Sequence, residues 1–272
     1  MSSWDKLLEE AEPRGHLVHL YKCDEGLLTK NVANYIRGGL DRGDTLLFIA
    51  TKERSQEVSR RLQDEGIDLE DAVRQGSVVS RDAQETLDQS MFGGRLDWDR
   101  FDSVIGNLVR KKMSPDGAGL RIYGEMVGVL WKARQYSLAI QLEQFWNRLV
   151  AARQFNLFCA YPIDVFDDEF RIDALDALLC AHTHLLPTGS NGDLEAAINR
   201  AMDEVLGPRV ESLRLLIKSN YRPSWAVLPK AEAIVLWLRN NLHEDADAIL
   251  SRARQYYRSS YSPIASLENQ EG

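Results

Sequence analysis

The sequence predicts an α/β protein with a three-layer, mostly parallel sheet, followed by a small all-helical unit. In the first two thirds of the chain, short apolar runs alternate with amphipathic helical patterns. The runs lack strict apolar–polar alternation, as expected for strands buried on both faces of a parallel sheet. After residue 193 only helical patterns remain. Strands that alternate with helices indicate right-handed βαβ units with helices on both faces of the sheet.

Five apolar runs are the predicted strands: Leu17–Tyr21, Thr45–Ala50, Ser77–Ser80, Leu120–Tyr123 and Phe155–Ala160. Apolar residues at helical spacing connect them. The first predicted helix stops near Gly38–Gly39, and the second begins at Thr51 as N-cap and ends near Gly66. Further amphipathic helices are predicted at 101–109 and 138–149.

A turn-rich segment, Pro187–Asp193, is predicted to link two units. Residues 1–187 are expected to form the α/β domain and residues 193–258 the helical unit. The apolar spacing there predicts helices at 194–205, 209–219, 229–241 and 244–257. Residues 259–272 are expected to be a disordered tail.

Composition restricts the class of protein. The 272 residues are 44% hydrophobic and 27% charged, which is typical of a globular protein. A net charge of −8 disfavours a protein that wraps nucleic acid. Three separated cysteines without a CxxC pair indicate reduced intracellular thiols. The N-terminus resembles neither a signal nor a transit peptide, and no apolar run approaches the length of a membrane span. We therefore expect a cytoplasmic location without direct nucleic-acid or membrane contact.

Polar residues stand where two predicted strands end. Glu125 follows one apolar run, and Cys159 and Tyr161 end another. The carboxyl ends of parallel strands meet along one edge of a sheet, where ligands bind. These residues are therefore candidate ligand contacts. The alternatives are a cap on the following helix for Glu125 and an inert core thiol for Cys159.

The loop behind the first strand does not have the composition of a phosphate-binding loop. Lys22–Thr29 contains one glycine, Gly26, and no lysine directly before Thr29. Asp24 and Glu25 place negative charge at the start of the next helix, where they compete with an anion for the same N–H donors. A functional P-loop is therefore not expected.

Potential metal ligands lie close together in sequence in two places, but neither has the spacing of a structural zinc site. Cys180, His182 and His184 alternate within one segment, and His16 and His19 lie near the start. Two interpretations of residues 180–184 are open. Either their side chains form part of a metal-ligand set, or His182 lies in a surface loop and His184 is packed and hydrogen-bonded. No nucleophile–base arrangement is visible. The sequence thus predicts no metal site, no cofactor and no catalytic residue.

Several segments between His16 and Phe166 carry a family resemblance: HLVHLY, NYIRGGLDRGDTLLFIAT, GSVVSRDAQETL with MFGGRLDWDRF, LRIYGEMVGVLW, IQLEQFWNRL and FNLFCAYPIDVF. Together they resemble the MEDS family, the sensory domain named after the dichloromethane-responsive regulator of methylotrophs and found also in methanogens. The resemblance implies a RecA-like fold that lacks the phosphate loop. It also implies sensing of small organic molecules in bacterial and archaeal signalling, including transcription regulation.

Two functions from different classes follow. The leading one is a non-catalytic sensor whose ligand lies at the carboxyl ends of the strands. Its predicted contacts are His19, Tyr21, Asp82, Glu125, Cys159 and Tyr161, where His19 and Tyr21 share one strand face. The bound state would reach a regulatory protein partner, or a second copy of the chain, through residues 193–258. The alternative is a ligand-indifferent interaction scaffold derived from a RecA-type ATPase. A residual nucleotide-binding enzyme is disfavoured by the loop composition.

Overall fold

A computed structural model describes residues 3–113, 119–189, 192–220 and 227–261. Its strands are β1 (His16–Leu20), β2 (Thr45–Ala50), β3 (Val78–Asp82), β4 (Met91–Phe92), β5 (Arg95–Leu96), β6 (Leu120–Gly124), β7 (Asn156–Tyr161) and β8 (His184–Leu185). Six of these form one sheet in the order β3-β2-β6-β7-β1-β8, in which every pairing is parallel. Strands β4 and β5 form a separate antiparallel hairpin. The five predicted strands are confirmed, with ends that differ by at most two residues.

Helices cover both faces of the sheet. They are α1 (Ser3–Glu10), α2 (Glu25–Asp41), α3 (Lys52–Asp64), α4 (Leu69–Arg74), α5 (Ala83–Gln89), α6 (Trp98–Phe101), α7 (Asn107–Lys112), α8 (Met126–Lys132), α9 (Tyr136–Ala152), α10 (Ile172–Ala181), α11 (Asp193–Leu206), α12 (Val210–Asn220), α13 (Lys230–Asn241) and α14 (His243–Tyr261). Helices α1 to α4 pack on one side, here called the α2 face, and the others pack on the opposite side, the α9 face. This arrangement confirms the predicted three-layer α/β fold.

Alternate residues of the central strands face opposite layers, because side chains alternate along a strand. In β1, Val18 and Leu20 join the apolar cluster of the α9 face, whereas Leu17 and Tyr21 join that of the α2 face. Strand β7 divides in the same way, with Cys159 and Tyr161 on the α9 face. The sheet therefore separates side chains that are neighbours in sequence.

Helix α2 continues past the two glycines at which the sequence predicted its end. A Cβ atom on Gly38 would lie 2.8 Å from Glu9 Cα, so glycine at this position lets α1 pack directly against α2. The helix ends instead at Asp41, before Gly43 with φ +73°. The predicted stop was wrong because glycine in this helix serves close packing rather than termination.

Three further elements differ from the sequence prediction. The helix predicted at 101–109 contains a π-helical segment, Asp102–Gly106, between α6 and α7. The β4–β5 hairpin contains no predicted strand. It turns at Gly93 and Gly94, whose φ values of +58° and +76° glycine adopts readily. Strand β8 has two residues and was not predicted.

A buried cation ties helix α1 to the sheet. Arg121 in β6 is 1% exposed, and its Nε donates to Asp44 Oδ2 over 2.7 Å. Its other nitrogens donate to four backbone carbonyl oxygens in the last turns of α1 and α2: Leu8 (2.9 Å), Glu9 (2.6 Å), Tyr35 (3.3 Å) and Gly38 (3.2 Å). Helix C-termini carry partial negative charge, so this position suits a guanidinium.

The C-terminal helices pack on the α9 face and share its apolar core. Their predicted positions are confirmed as α11 to α14. Arg254 in α14 pairs with Asp164 and Asp167, and Leu185 N donates to Val227 O over 2.9 Å. Residues 190–191 of the predicted linker and 262–272 of the predicted tail lie outside the described residues.

No helix within the described ranges has the length and apolar character needed to cross a membrane.

Candidate functional site

The six predicted ligand contacts do not form one cluster. His19 and Tyr21 lie on the α2 face, whereas Cys159 and Tyr161 lie on the α9 face, and all four are buried. Asp82 is half-buried at the N-cap of α5, where its Oδ1 accepts a hydrogen bond from Glu85 N over 2.9 Å. The structure therefore groups the candidates by sheet face rather than along one edge.

Glu125 occupies the N-cap position of α8, but its side chain accepts no capping hydrogen bond from that helix. Its Oε2 instead accepts hydrogen bonds from Thr51 N (2.9 Å) and Thr51 Oγ1 (3.0 Å). Thr51 is itself the N-cap of α3, as predicted, and accepts from Arg54 N. The reading of Glu125 as a cap on the following helix was wrong, since this carboxylate supports the start of a different helix.

Arg54 connects Glu125 to helix α2. The guanidinium Nε lies 3.5 Å from Glu125 Oε1, and Nη1 donates to Glu57 Oε2 (2.6 Å) and Thr29 Oγ1 (2.9 Å). The same guanidinium lies 5.2 Å from the ring centroid of Tyr21. These five residues and Thr51 are called the Arg54 cluster below. Sequence reasoning missed Arg54 because no motif marks it.

Burial sets the protonation states on the α2 face. Burial, together with the positive charge of Arg54, lowers the pKa of His19 to about 3, so the imidazole is neutral at physiological pH. Burial also raises the pKa of the Tyr21 hydroxyl, and the negative charge of Glu125 adds to that rise. His19 Nδ1 lies 3.5 Å from Asn31 Nδ2, and its Nε2 has no hydrogen-bond partner among the described residues.

A second polar cluster lies on the α9 face around Glu143, which is fully buried in α9. Glu143 Oε1 accepts a 2.6 Å hydrogen bond from the Tyr161 hydroxyl and lies 3.3 Å from His182 Nε2. Its Oε2 lies 3.3 Å from His16 Nε2 and 3.8 Å from Cys159 Sγ. These five residues are called the Glu143 cluster. Cys159 and Tyr161 were predicted as site residues, but nothing in the sequence marked Glu143 as their shared partner.

The Glu143 cluster holds a charge inside the protein. Burial opposes ionisation of Glu143, but the adjacent His182 and His16 hold its pKa below the usual value. Burial and the Glu143 charge raise the pKa of the Cys159 thiol and of the Tyr161 hydroxyl. Burial also lowers the pKa of His16, and His182 lowers it further.

The structure corrects the surface reading of the CAHTHLL segment. His182 is 2% exposed, and its Nδ1 lies 2.7 Å from the carbonyl oxygen of Leu178. His184 is half-buried, with Nδ1 3.0 Å from Thr183 Oγ1. The two histidines therefore have different environments, and only His182 joins the Glu143 cluster.

A cavity of about 390 Å³ lies between α1, α2 and the first residues of α11 and α13. Its walls include the apolar side chains of Trp4, Leu27 and Leu194, and its polar lining includes Asn31 and Glu232. It is called the junction cavity, because the α/β layer and the C-terminal helices both contribute to it. A larger groove of about 720 Å³ lies on α3 and α4, but most of its lining side chains are exposed, so it is an ordinary solvated surface.

Glu232 is the most unusual group in the junction cavity. It is 1% exposed, and its Oε1 accepts hydrogen bonds from Thr188 N and Thr188 Oγ1, each 2.7 Å long. Its Oε2 has no hydrogen-bond partner among the described residues. Burial raises the pKa of this carboxyl group. A buried carboxyl oxygen without a partner costs free energy, which a bound donor would recover.

Comparison with known proteins places most of the sheet in one family. A family model described as MEthanogen/methylotroph, DcmR Sensory domain matches residues 15–183. That range contains the Arg54 cluster and the Glu143 cluster, together with the α2 wall of the junction cavity. A search of curated proteins found no match.

Proposed function

Because the chain belongs to the MEDS family of sensory domains, we propose that it is a non-catalytic signalling protein that senses a small organic molecule. The proposal places the ligand in the junction cavity and transmits its presence through α11 to α14 to a regulatory protein partner. The observation that carries the proposal is the unpartnered Oε2 of Glu232, a buried residue that lines a cavity of about 390 Å³.

The cavity suits a small amphipathic ligand. Small-molecule sites usually have volumes of about 300–1,000 Å³, mostly apolar walls and a few polar groups that fix orientation. Trp4, Leu27 and Leu194 provide the apolar surface, and Glu232 Oε2 provides an acceptor. We therefore propose a ligand with a hydrocarbon body and one hydroxyl or amino group that donates to Glu232.

The position of the cavity supports a signalling role. Its lining combines α2, which lies within the family match, with α1, α11 and α13, which lie outside it. A ligand shifts an equilibrium only if it binds one arrangement of the protein better than another. A molecule that contacts both layers would favour the arrangement in which the C-terminal helices close the cavity.

The six residues predicted from the sequence relate to this proposal to different degrees. His19 contacts Asn31, which lines the cavity, so we propose His19 as an indirect determinant of binding through that amide. Ligand contact by Tyr21, Asp82, Glu125, Cys159 and Tyr161 stays a prediction.

The proposal includes neither nucleotide turnover nor binding to nucleic acid or membrane. Asp24 Oδ1 accepts a hydrogen bond from Leu27 N over 2.8 Å at the start of α2, the place where a phosphate loop would present its donors. This contact supports the absence of phosphate binding. The free Cys23, Cys159 and Cys180 support a cytoplasmic location.

A thermal-shift screen of small alcohols, amines and nucleotides tests the proposal. A ligand at 100 times its Kd stabilises the folded protein by about 2.7 kcal/mol. Leu27→Trp, which fills the junction cavity, should abolish that stabilisation. Val73→Trp is the matched control, because Val73 lines the exposed groove on α3 and α4.

Three results would contradict the proposal. The first is thermal stabilisation by nucleotides and by no other compound. The second is a ligand that stabilises Leu27→Trp as much as the parent chain. The third is a ligand that no longer stabilises Val73→Trp but still stabilises Leu27→Trp. If no compound stabilises the protein while a partner protein still binds, the chain is a ligand-indifferent scaffold.

A further inference from the structure

Four potential metal ligands meet in the Glu143 cluster. His16, Glu143, Cys159 and His182 each offer one donor atom, and these atoms all lie within 4.8 Å of one another. All four residues are at most 2% exposed. They come from β1, α9, β7 and the residue after α10, so the fold collects them from widely separated positions.

The hydrogen bonds around the cluster orient both imidazoles in the same sense. A backbone carbonyl oxygen only accepts, so the 2.7 Å contact of His182 Nδ1 with Leu178 O makes Nδ1 the donor. Asn147 Nδ2 donates to Ala181 O over 3.0 Å, which leaves Asn147 Oδ1 to accept from His16 Nδ1 over 2.9 Å. These tautomers follow from the hydrogen-bond network.

In both rings the Nε2 atom therefore faces Glu143. Both Nε2 atoms lie 3.3 Å from an oxygen of this carboxylate, which is itself an acceptor. His182 Nε2 has no hydrogen-bond partner among the described residues. Two Nε2 atoms that converge on a carboxylate and a thiol require a positive species between them, which is either a proton on the rings or a metal ion.

We propose that the Glu143 cluster binds one Zn²⁺ through His16 Nε2, Cys159 Sγ, His182 Nε2 and one oxygen of Glu143. Zinc bonds of about 2.0–2.3 Å place tetrahedral donors about 3.3–3.8 Å apart. The observed separations are 3.3 Å for His16 to Glu143, 3.4 Å for His16 to Cys159 and 3.8 Å for Cys159 to Glu143. These three separations match the spacing of a zinc tetrahedron, and His182 Nε2 lies within 4.8 Å of the other donor atoms.

The chemistry of the donors agrees with this spacing. Imidazole, thiolate and carboxylate are the usual zinc ligands. On binding, the Cys159 thiol gives its proton to solvent, and the charges of one thiolate, one carboxylate and Zn²⁺ cancel. Metal-bound histidines commonly donate their second nitrogen to an acceptor, as His16 does to Asn147 and His182 to Leu178 O. The Tyr161 hydroxyl holds Glu143 Oε1. This proposal replaces the sequence-based expectation that the chain holds no metal.

Titration with Zn²⁺ and Co²⁺ tests the site. Because the donors are buried, chelator-treated protein should be offered metal both in the folded state and during refolding from denaturant. We expect one equivalent to bind, with one proton released per ion. Co²⁺ should give the intense visible bands of tetrahedral coordination and a thiolate-to-cobalt charge-transfer band.

Matched variants assign the ligands. Cys159→Ser should remove the charge-transfer band, and His182→Gln should weaken binding by at least about a hundredfold, more than the loss usually caused by a residue behind the ligands. Cys180→Ser and His184→Gln are controls in the same segment and should bind as the parent chain does. Asn147→Leu should weaken binding by about 10–100-fold, because it removes the acceptor that orients His16.

Three outcomes would overturn the proposal. The first is parent protein that binds no stoichiometric Zn²⁺ or Co²⁺ after either treatment, in which case protons alone hold the cluster. The second is a charge-transfer band that persists in Cys159→Ser or disappears in Cys180→Ser. If ligand variants do not fold, X-ray absorption of the metal-loaded parent protein decides, and a zinc shell without one sulfur at about 2.3 Å would refute the assignment.

Discussion

Replacing Glu125 by glutamine should destabilise the fold, although the two side chains have nearly the same shape. The Glu125 carboxylate is 2% exposed and accepts two hydrogen bonds from Thr51, at 2.9 and 3.0 Å. Its second oxygen faces Arg54 Nε at 3.5 Å. Both sides of the carboxylate therefore face donors, and glutamine has only one acceptor oxygen. Its NH₂ group must point at Thr51 or at Arg54.

The size of the effect follows from these contacts. A buried hydrogen bond to a charged group contributes about 1.5–3 kcal/mol, and the amide introduced by the substitution loses at least one. We expect the free energy of unfolding to fall by about 1.5–3 kcal/mol in Glu125→Gln. At about 2–4 °C per kcal/mol, the Tm should fall by about 3–12 °C.

Urea denaturation measures this loss against a matched control. Glu57 also contacts Arg54, at 2.6 Å, but its side chain is 40% exposed. Because solvent screens that pair, Glu57→Gln should cost at most about 1 kcal/mol. Equal losses in the two variants, or a loss below about 0.5 kcal/mol in Glu125→Gln, would refute the structural role of Glu125. Unchanged stability together with weaker binding of an identified ligand would instead establish Glu125 as a ligand contact.

Three further predictions concern packing, pH and the buried cation. Gly128→Ala should lower the Tm, because the added Cβ would lie 2.7 Å from a backbone oxygen of β7. In the control variant Gly124→Ala, the added Cβ meets only ordinary contacts of 3.7 Å or more, so the Tm should change little. Calorimetry measures the Tm of both variants. The folded-state pKa of His19, about 3, lies below the ordinary value of 6.5. As the pH falls, the unfolded chain therefore takes up this proton first, so His19 should lower the free energy of unfolding by about 1.4 kcal/mol per pH unit below about 6.5. Urea denaturation between about pH 7 and pH 4 should show a weaker dependence of stability on pH in His19→Gln than in the parent chain. An unchanged dependence would contradict this role of His19. Arg121→Met should cost about 3–5 kcal/mol in urea denaturation, and the half-exposed Arg61→Met at most about 1, so similar losses would be inconsistent with the buried network.

The fold could be predicted from sequence where a local pattern determines the structure. Strands buried on both faces give continuous apolar runs, so their ends were placed within two residues. Thr51 was predicted as an N-cap because the capping hydrogen bond spans three residues. The end of α2 was misplaced because the role of Gly38 depends on Glu9, which approaches from another helix. Strand β8 is too short to produce a periodic signal.

The candidate site was predicted less well, for a related reason. The rule that ligands bind at strand ends selected Glu125 and Cys159, and both are buried. The rule could not say which sheet face each side chain joins, or which helix supplies its partner. Glu143 lies beside Leu142 in an amphipathic helix, and only the packing of α9 against β7 shows that its carboxylate points into the core. Arg54 and Glu232 were missed in the same way, since their roles depend on contacts with distant segments.

The contacts of Arg121 also bear on how this domain can be isolated. The family match begins at residue 15, but the guanidinium donates to the carbonyl oxygens of Leu8 and Glu9 in α1. A chain trimmed to residues 15–183 would leave a buried cation with fewer acceptors and would uncover the core position that Leu8 fills at 1% exposure. The boundaries of the family are therefore not the boundaries of the folding unit. Biophysical work on this domain should retain at least α1, so that a loss of structure caused by trimming is not mistaken for a loss of function.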